Sequence, residues 1–545
     1  MYFFDTKNKF GYKFYDKKIE LIANDKKSLI DVLKSVEKYT SQGFYIAGFI
    51  SYEAGCYLVD KKIPHKELSI PLLHFVVFKE VSLLGNLPEV DYENGAVYDI
   101  KYSETSLEYA KKITKVKEHL HNGDTYQTNY TFRYSFKSLS TPENLYYYLC
   151  KKQNAEFTAF LEFENYSIVS LSPELFLKKT NNTIVSKPMK GTWKIGDKPD
   201  DKIISENAII VDLIRNDMSV IAEKGTVEVV NPFEMQNFNT LNQMISTVKC
   251  EIKNKSFYDI IKALFPCGSI NGAPKIRTME IISELENNPR EIYCGSVGYI
   301  LPNNDFCFNV AIRTSVYKNK EYIAGIGGGI IYESKTSDEF DECLLKSQFL
   351  RSINDFEIFE TMKSIDGVIQ NLDLHLARMK KSMQYFGFNG KNIVFPQIDC
   401  GIKKVRLSVK QNGEYEIKIS DIDTILTNKV VISDIIIDSC DIFLQHKTSR
   451  RNIYNTEYQK YNVYDVIFIN NLGFISEASR HNIFIKKDNQ WVTPPLSAGI
   501  LPGIIRQIFI ETTPVLEKNI TLDELKNADE VWLSNSIRGL IKVGL

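Results

Sequence analysis

Several features that define common protein classes are missing from this chain of 545 residues. Lys and Arg number 67 and Asp and Glu 68, so the net charge is −1 and there is no basic excess to bind nucleic acid or an anionic membrane surface. No run of 18 apolar residues occurs, which argues against a transmembrane helix. Residues 1–7 lack a basic segment that leads into an apolar one, so we expect no signal peptide and a cytoplasmic location.

Cysteine and histidine are too sparse for a zinc site or a disulfide framework. The nine cysteines stand singly without a Cys-x-x-Cys pair, and the seven histidines include no His-x-x-x-His spacing. We therefore expect buried, reduced thiols. The composition, 43% hydrophobic and 25% charged, is that of a globular protein, and the length predicts more than one domain.

Apolar periodicity predicts a chain that mixes helices and strands. The patterns predict strands at residues 44–52, 126–136 and 356–363 and helices at residues 105–121 and 371–386. The strand at 126–136 alternates strictly, with aromatic side chains on one face and polar side chains on the other. After residue 400 short Val- and Ile-rich strands follow, and we place a domain boundary near residue 352.

A set of motifs lies between residues 170 and 350. They are Ser172–Phe176, Lys187–Thr192, Glu206–Asp217, Gly268–Lys275 and residues 293–314. In this order they strongly resemble the chorismate-utilising enzymes, and within that family the aminodeoxychorismate synthase branch. The resemblance runs from about residue 100 to residue 350 and more weakly to the start. It implies a fold of large, mainly antiparallel sheets with helices outside.

The resemblance implies a reaction in which Lys190 attacks C2 of chorismate while the 4-hydroxyl leaves, after which ammonia enters at C4 and expels the lysine. Glu174 matches the general acid and base of the family. Anthranilate synthases typically carry alanine where this chain has Lys190. Gln127 stands where relatives that use water carry a lysine base, which favours ammonia as the nucleophile.

Further residues match positions that bind the substrate. Arg313, with Tyr293, corresponds to the group that holds a carboxylate, for which arginine offers a bidentate fork. A glycine-rich turn ahead of a helix that begins near residue 275 would offer backbone N–H groups to an anion. The predicted substrate-binding residues are Gln127, Gly272, Ala273, Tyr293, Arg313, Gly327 and Gly329.

Two glutamates, Glu206 and Glu342, are predicted to bind magnesium. The family binds Mg²⁺ through glutamates that match Glu206 and Glu342, and hard oxygen ligands with retained waters are what this ion prefers. Glu339 shares a helix face with Glu342, but its position also fits a helix capping box that starts at Thr336. Its role stays open. The roles of Asn271 and Gln243, where many relatives have Thr and His, also stay open.

A second set of motifs follows the boundary, at residues 359–362, 375–379, 446–451, 475–484 and 493–506. This half resembles the fold-type IV pyridoxal phosphate enzymes, among them aminodeoxychorismate lyase and the branched-chain and D-amino-acid aminotransferases. The resemblance implies a lysine that binds the cofactor, an acid that faces its ring nitrogen and an anion site for its phosphate. The matching residues are Lys447 for the first role, Glu477 for the second, and Arg378, Ile504, Ile505 and Ser536 for the third.

Pro502 is predicted at the first position of the helix that offers its N–H groups to the phosphate. We expect a synthase domain over residues 1–352 and a two-lobed α/β lyase-like domain over residues 353–545, with the cofactor between the lobes and a homodimer formed through this half.

Together the two halves predict an enzyme that converts chorismate and ammonia to 4-amino-4-deoxychorismate and then eliminates pyruvate to leave 4-aminobenzoate, the aromatic part of folate. No cysteine lies in a Gly-x-Cys-x-Gly motif, so ammonia would come from solution or from a separate glutamine amidotransferase subunit. Three alternatives remain open. The second half could be an aminotransferase, it could be a non-catalytic interaction domain, or the first half could be an anthranilate synthase large subunit.

Overall fold

The computed structural model describes residues 1–59, 61, 63–88, 97–193, 201–237, 242–347, 349–350, 356–424 and 427–545. Contacts divide the chain into two compact units, Met1–Ile353 and Asn354–Leu545. Both units mix helices with sheets in which antiparallel pairing dominates. Among the described residues no helix combines the length and apolarity that a bilayer crossing requires.

The first unit is built from eighteen described strands and eight described helices. The strands are β1 (Tyr2–Asp5), β2 (Phe10–Ala23), β3 (Tyr45–Ile50), β4 (Leu73–Leu84), β5 (Val97–Tyr102), β6 (Gln127–Ser138), β7 (Phe157–Glu162), β8 (Ser167–Ser172), β9 (Leu175–Thr180), β10 (Thr183–Lys187), β11 (Met189–Trp193), β12 (Glu228–Asn237), β13 (Asn242–Glu251), β14 (Gly272–Ala273), β15 (Ser296–Ile300), β16 (Phe306–Asn309), β17 (Thr314–Lys318) and β18 (Glu321–Ile330). The helices are α1 (Lys26–Thr40), α2 (Ala54–Leu58), α3 (Ser106–His121), α4 (Pro142–Lys152), α5 (Asp201–Ser219), α6 (Phe257–Leu264), α7 (Lys275–Leu285) and α8 (Thr336–Ser347).

All eighteen strands belong to one hydrogen-bonded network, in which β6 pairs with β5, β14 and β18. The apolar face of β6 packs with α3 and α4 in a buried cluster that includes Tyr109 and Tyr146. The polar face of β6 is also buried, since the side chains of Gln127, Asn129 and Thr131 are buried and Asn129 lines the cavity described below. A strand with a polar side is therefore a cavity wall here and not a surface strand.

The second unit contains three sheets. Its strands are β19 (Ile358–Ile365), β20 (Val368–Ile369), β21 (Ile402–Val409), β22 (Tyr415–Ser420), β23 (Val430–Ile437), β24 (Asp465–Asn470), β25 (Ile475–Ala478), β26 (Asn482–Lys487), β27 (Gln490–Thr493), β28 (Val515–Glu517), β29 (Glu530–Asn535) and β30 (Gly539–Val543). Its helices are α9 (Leu372–Phe386), α10 (Asn452–Lys460), α11 (Ile504–Thr512) and α12 (Leu522–Lys526). Strands β19 to β22 form one sheet beside α9, while β23 to β25 and β26 to β30 form the other two.

The predicted elements lie close to the observed ones. The strand predicted at 44–52 is β3, the helix at 105–121 is α3, and the helix at 371–386 is α9 with Asn371 as its N-cap residue. All nine cysteines are free, but Cys400 and Cys440 are exposed and Cys307 is only partly buried, so the expectation of buried thiols is wrong for these three.

Candidate active sites

The first unit encloses a cavity of about 270 Å³ between β18, β11, α5, α8 and the short 3-10 turn at Gly268–Ile270. It brings together residues that lie far apart in the sequence. The predicted site residues that line it are Glu174, Lys190, Glu206, Tyr293, Arg313, Gly327, Gly329 and Glu342. Gln243 and Glu339, whose roles were open, line it as well.

Lys190 and Glu174 meet across Ser269. The Lys190 amine donates to the Ser269 carbonyl oxygen at 2.9 Å, and the Ser269 hydroxyl donates to Glu174 Oε1 at 2.7 Å. Burial raises the pKa of the Glu174 carboxyl. An amine and a carboxyl with a raised pKa thus face one cavity, which is a suitable pair for nucleophilic attack with proton donation to a leaving group.

Arg313 supplies a positive charge to the same cavity. Its guanidinium has no hydrogen-bond or ion-pair partner within the part of the chain that the structure describes, and burial lowers its pKa to about 10. Tyr293 is 7% exposed, and a Cβ at Gly325 would overlap its ring, so the glycine permits this close approach. A partly desolvated cation without a counter-charge is a site for an anion.

Gly272 and Ala273 do not reach the cavity wall. They form β14 and pair with Thr128 and Gln127, and a Cβ at Gly272, whose φ is 142°, would overlap the Gln127 carbonyl oxygen. Their backbone groups are thus engaged by β6, and Ser269 of the preceding turn reaches the cavity in their place.

Gln127 lies next to the cavity rather than on its wall. Its Nε2 is buried without a hydrogen-bond partner among the described residues, and it lies, with Lys190 Nζ, against the backbone of Gly329. The Gln127 amide is therefore a close neighbour of the lysine amine. The structure thus places Gln127 close to Lys190, in agreement with its predicted place in the substrate site. Gly272 and Ala273, which were predicted for the same site, lie elsewhere.

The two predicted magnesium ligands, Glu206 and Glu342, line the first cavity together with Glu339. Glu342 lies 2.8 Å from Lys346 Nζ, and Glu339 accepts a hydrogen bond from Ser334 at 2.6 Å. In the described ranges no group of three or more His, Cys, Asp and Glu side chains is placed to hold a metal. For Glu339 the capping-box alternative does not fit the start of α8, because Thr336 is already the first residue of the helix and the Glu339 amide donates to the Lys335 carbonyl oxygen at 3.1 Å.

The second unit encloses a cavity of about 630 Å³. All predicted cofactor-binding residues line it: Arg378, Lys447, Glu477, Ile504, Ile505 and Ser536. Burial, together with Arg451 and Arg378, lowers the pKa of the Lys447 amine to about 7. The amine lies 5.0 Å from the centre of the Phe359 ring and has no hydrogen-bond partner among the described residues. An amine of this kind can condense with a carbonyl and exchange a proton near neutral pH.

Three hydrogen bonds hold the Glu477 side chain, which lines the same cavity. Its carboxylate accepts hydrogen bonds from the Leu501 amide at 2.9 Å, from Asn482 at 3.1 Å and from the Tyr454 hydroxyl at 3.3 Å. Burial raises its pKa to about 7. A protonated ring nitrogen placed beside it would favour the carboxylate form.

The anion end of the second cavity is the start of α11. The helix begins at Ile504 with Gly503 as the N-cap residue, so Pro502 lies one residue before the cap and the prediction of a first helical position is wrong. The first intrahelical bond runs from the Gln507 amide to the Gly503 carbonyl, and the amides of Ile504 and Ile505 therefore have no partner within the helix.

Arg378 is anchored beside this helix start. Two of its nitrogens donate to Glu360 at 2.8 and 2.6 Å, and the third donates to the Pro502 carbonyl at 2.9 Å. His375 contacts the same glutamate at 2.7 Å. Although burial favours the neutral carboxyl, Arg378 and His375 hold the pKa of Glu360 at about 2. The arginine is thus held in place and keeps one N–H on each terminal nitrogen for an anion.

Several residues that line the cavities were not predicted as site residues. In the first cavity they include Asn129 and Lys346, which lie outside the motifs, and Ser269, which lies within one. The second cavity is rich in basic residues to which no role was assigned. Lys404, Arg406 and Arg538 lie outside the motifs, whereas Arg451 and Arg480 lie within them. Alternation along β6 and β21 indicates which residues share a face, but only the fold shows which face meets a cavity.

The matches to known families fall within the same two units. Residues 2–352 match the family model of the chorismate binding enzymes. The chain belongs to the chorismate-binding enzyme family. Residues 404–544 match the class IV aminotransferases, whose fold implies pyridoxal phosphate. The predicted combination of the two families and of mainly antiparallel α/β folds is confirmed.

The chain is similar to aminodeoxychorismate synthase component 1 of Escherichia coli, with 36% identity over 255 residues, 44% of this chain and 55% of that protein. Its Bacillus subtilis counterpart is 29% identical over 351 residues, 55% of this chain and 74% of that protein. Anthranilate synthase component 1 of Aquifex aeolicus is 32% identical over 259 residues, 45% and 52% of the two chains. The chain thus spans about half the length of several curated relatives.

Solved structures show the same fold in the first unit. Anthranilate synthase component I from Streptococcus pneumoniae superposes with a TM-score of 0.56 at 23% identity and covers 63% of this chain and 92% of that one. The relatives include both aminodeoxychorismate synthases and anthranilate synthases, so the choice of reaction depends on the residues of the cavity.

Proposed function

We propose that the first unit makes 4-amino-4-deoxychorismate from chorismate and ammonia. The observation that carries this proposal is the placement of the Lys190 amine and the Glu174 carboxyl on one cavity, joined through Ser269. Chorismate carries two carboxylates, and the unpaired Arg313 guanidinium on the same wall supplies the opposite charge.

In the proposed reaction the Lys190 amine forms a bond to C2 of the ring as the bond between C4 and its hydroxyl breaks. Glu174, whose pKa is raised by burial, gives the departing oxygen its proton. Ammonia then bonds to C4 and the lysine leaves C2. Ammonia would come from a separate glutamine amidotransferase subunit or from solution.

Glu206 and Glu342 would hold Mg²⁺ in this scheme. Both line the cavity, and Mg²⁺ commonly takes one or two carboxylates and completes its shell with substrate oxygens and water. The residues fit that mode, since two carboxylates face the space that a substrate carboxylate would enter. The ion would neutralise a substrate carboxylate next to the ring.

For the second unit we propose elimination of pyruvate from 4-amino-4-deoxychorismate. Pyridoxal phosphate, when bound, withdraws electrons from the carbon that carries the amine and eases loss of its proton. Lys447 would hold the cofactor and move the C4 proton, which suits an amine with a pKa of about 7. Glu477 would hold the ring nitrogen, and Arg378, Ser536 and the α11 amides would bind the phosphate.

Product identification tests both proposals. We would incubate the full chain with chorismate, Mg²⁺, ammonium and pyridoxal phosphate and separate the aromatic products. Formation of 4-aminobenzoate with pyruvate supports both activities, and formation of 2-aminobenzoate contradicts the first. Accumulation of 4-amino-4-deoxychorismate contradicts the second. A repeat with 2-oxoglutarate would then show whether the second unit depends on an amino acceptor, as an aminotransferase does.

A further inference from the structure

Ser269 touches both groups to which the proposed synthase reaction assigns chemistry. Its hydroxyl donates to Glu174 Oε1 at 2.7 Å, and its carbonyl oxygen accepts from Lys190 Nζ at 2.9 Å. Ser269 is 3% exposed and lies on the cavity wall. The two contacts use different parts of the residue, the side chain for the acid and the backbone for the amine, so a substitution can separate them.

We propose that Ser269 is a positioning residue whose hydroxyl orients the Glu174 carboxyl while its carbonyl oxygen holds the Lys190 amine, so that both face one substrate ring. This inference rests on the proposed synthase function. It assigns the hydroxyl to the proton-transfer step alone, because the backbone contact with Lys190 persists in any Ser269 variant.

The turn that carries Ser269 is fixed on both sides. The guanidinium of Arg290, a buried residue, donates to the Ile270 carbonyl oxygen at 2.9 Å. The Asn271 side chain donates to the Cys267 carbonyl oxygen at 2.8 Å. Ser269 therefore has little freedom to move, and loss of its hydroxyl leaves the turn in place. This also gives Asn271 a role, which is to close the turn.

The surroundings of Glu174 make the effect of the Ser269 hydroxyl on the pKa of this carboxyl measurable. Burial raises the pKa of this carboxyl, whereas the Ser269 hydrogen bond, Lys190 and the Met189 amide oppose that shift. Burial raises the pKa of the nearby Cys267 and Cys294 thiols to about 12, so they stay neutral. The titratable groups that share the cavity are Lys190, Glu206, Arg313, Glu339, Glu342 and Lys346, with the phenols of Tyr134 and Tyr293. Burial raises the pKa of Tyr293.

Removal of the hydroxyl takes away a donor to the charged carboxylate, so Glu174 keeps its proton to higher pH in Ser269→Ala. In chorismate consumption by the full chain with ammonium and Mg²⁺, we expect kcat to fall roughly 10- to 100-fold with KM changed less than about twofold. The limb of the pH–rate profile set by Glu174 moves to higher pH. Ser269→Thr, which keeps a hydroxyl, restores most of kcat. Ser170→Ala, which removes another buried hydroxyl, leaves kcat unchanged.

A second readout does not depend on activity. Infrared difference spectra would follow ionisation of the Glu174 carboxyl with pH, with Glu174→Gln identifying its band. An upward shift of this titration in Ser269→Ala supports the proposal, and an unchanged titration overturns it. If the titration shifts but the unmodified protein consumes no chorismate, the coupling of Ser269 to Glu174 stands and the synthase function is the part that fails. Equal losses of kcat in Ser269→Ala and Ser269→Thr would also overturn the positioning role proposed for Ser269.

Discussion

The two cavities hold their charges in different ways. In the first unit Arg313 has no partner among the described residues, and the acid Glu174 is held by a neutral hydroxyl. In the second unit Arg378 is anchored by a buried carboxylate and by a backbone oxygen before any ligand arrives. Under the proposed function, the first cavity would offer its own nucleophile and acid to a substrate, whereas the second would hold a cofactor that supplies the chemistry.

The difference also appears in size and charge. The first cavity has a volume of about 270 Å³ and the second about 630 Å³. The larger one is lined by many basic residues, as a site that takes a phosphate and a carboxylated substrate together requires. If this comparison is right, a substitution in one cavity should leave the activity of the other unchanged. The two cavities should also differ in which step or ligand such a substitution affects.

The largest effect is expected for Lys190→Ala. Loss of the nucleophile should lower chorismate consumption with ammonium by more than about 1,000-fold, while supplied 4-amino-4-deoxychorismate is still converted to 4-aminobenzoate. Substitution of the exposed Lys178 by Ala is the matched control and should keep both activities. If Lys190→Ala consumes chorismate at the unmodified rate, Lys190 is not the nucleophile.

Lys447→Ala should give the reverse pattern. Release of pyruvate should fall by more than about 1,000-fold, because no amine remains to hold the cofactor and move the proton. The absorbance band of covalently bound pyridoxal phosphate should be lost, while 4-amino-4-deoxychorismate accumulates at the normal rate. Substitution of the exposed Lys418 by Ala tests for general effects on this unit. An unaltered spectrum would contradict the role of Lys447.

Arg313→Gln should weaken the first site without removing its chemistry. Loss of a charged fork that binds a carboxylate should lower kcat/KM for chorismate by roughly 10- to 100-fold, mostly through KM. Steady-state kinetics at fixed ammonium would measure this, with Arg215→Gln, an exposed arginine on α5, as the control. A change confined to kcat would mean that Arg313 acts on the reaction step and not on binding.

Glu360→Gln should remove the ion pair that fixes Arg378 in the second cavity. The pKa of Glu360 is held at about 2, below its unfolded value, so its contribution to stability is full above pH 4.5 and is lost as pH falls towards 2. We expect the variant to unfold about 3 kcal/mol more easily at pH 7, and this gap should close as pH falls through that window. Urea unfolding at several pH values measures it.

The control for this prediction is Glu416→Gln, an exposed carboxylate on β22. We also expect Glu360→Gln to bind pyridoxal phosphate roughly tenfold more weakly, since the Arg378 side chain is no longer oriented. A stability difference that does not depend on pH would show that the ion pair is not its source.

Most of the site residues predicted from motifs line the cavities, with Gln127, Gly272 and Ala273 as exceptions, but the residues that hold them in place could not be predicted. Lys190, Glu174 and Arg313 are recognisable because family motifs surround them. Ser269 lies in such a motif, yet its contacts arise only because a 3-10 turn meets β11 in the folded chain. Arg406 belongs to no motif, and only the position of β21 beside the second cavity reveals it.

The incorrect predictions for Gly272 and Pro502 also arise from contacts or helix bounds that the local sequence does not determine. A turn before a helix predicts unpaired N–H groups, but at Gly272 another strand takes up the backbone. Pro502 fits the first turn of a helix by its fixed φ, but α11 starts two residues later behind Gly503. Helix and strand positions follow from local periodicity, whereas partners of single groups depend on tertiary contacts.

The most direct test of the account is the fate of labelled ammonium in the full chain. We would supply chorismate, Mg²⁺, pyridoxal phosphate and nitrogen-15 ammonium and analyse the products by mass spectrometry. The account predicts labelled 4-aminobenzoate with one pyruvate for each molecule formed, and labelled 4-amino-4-deoxychorismate alone in Lys447→Ala. Label in 2-aminobenzoate, or an unlabelled aromatic product, would contradict it.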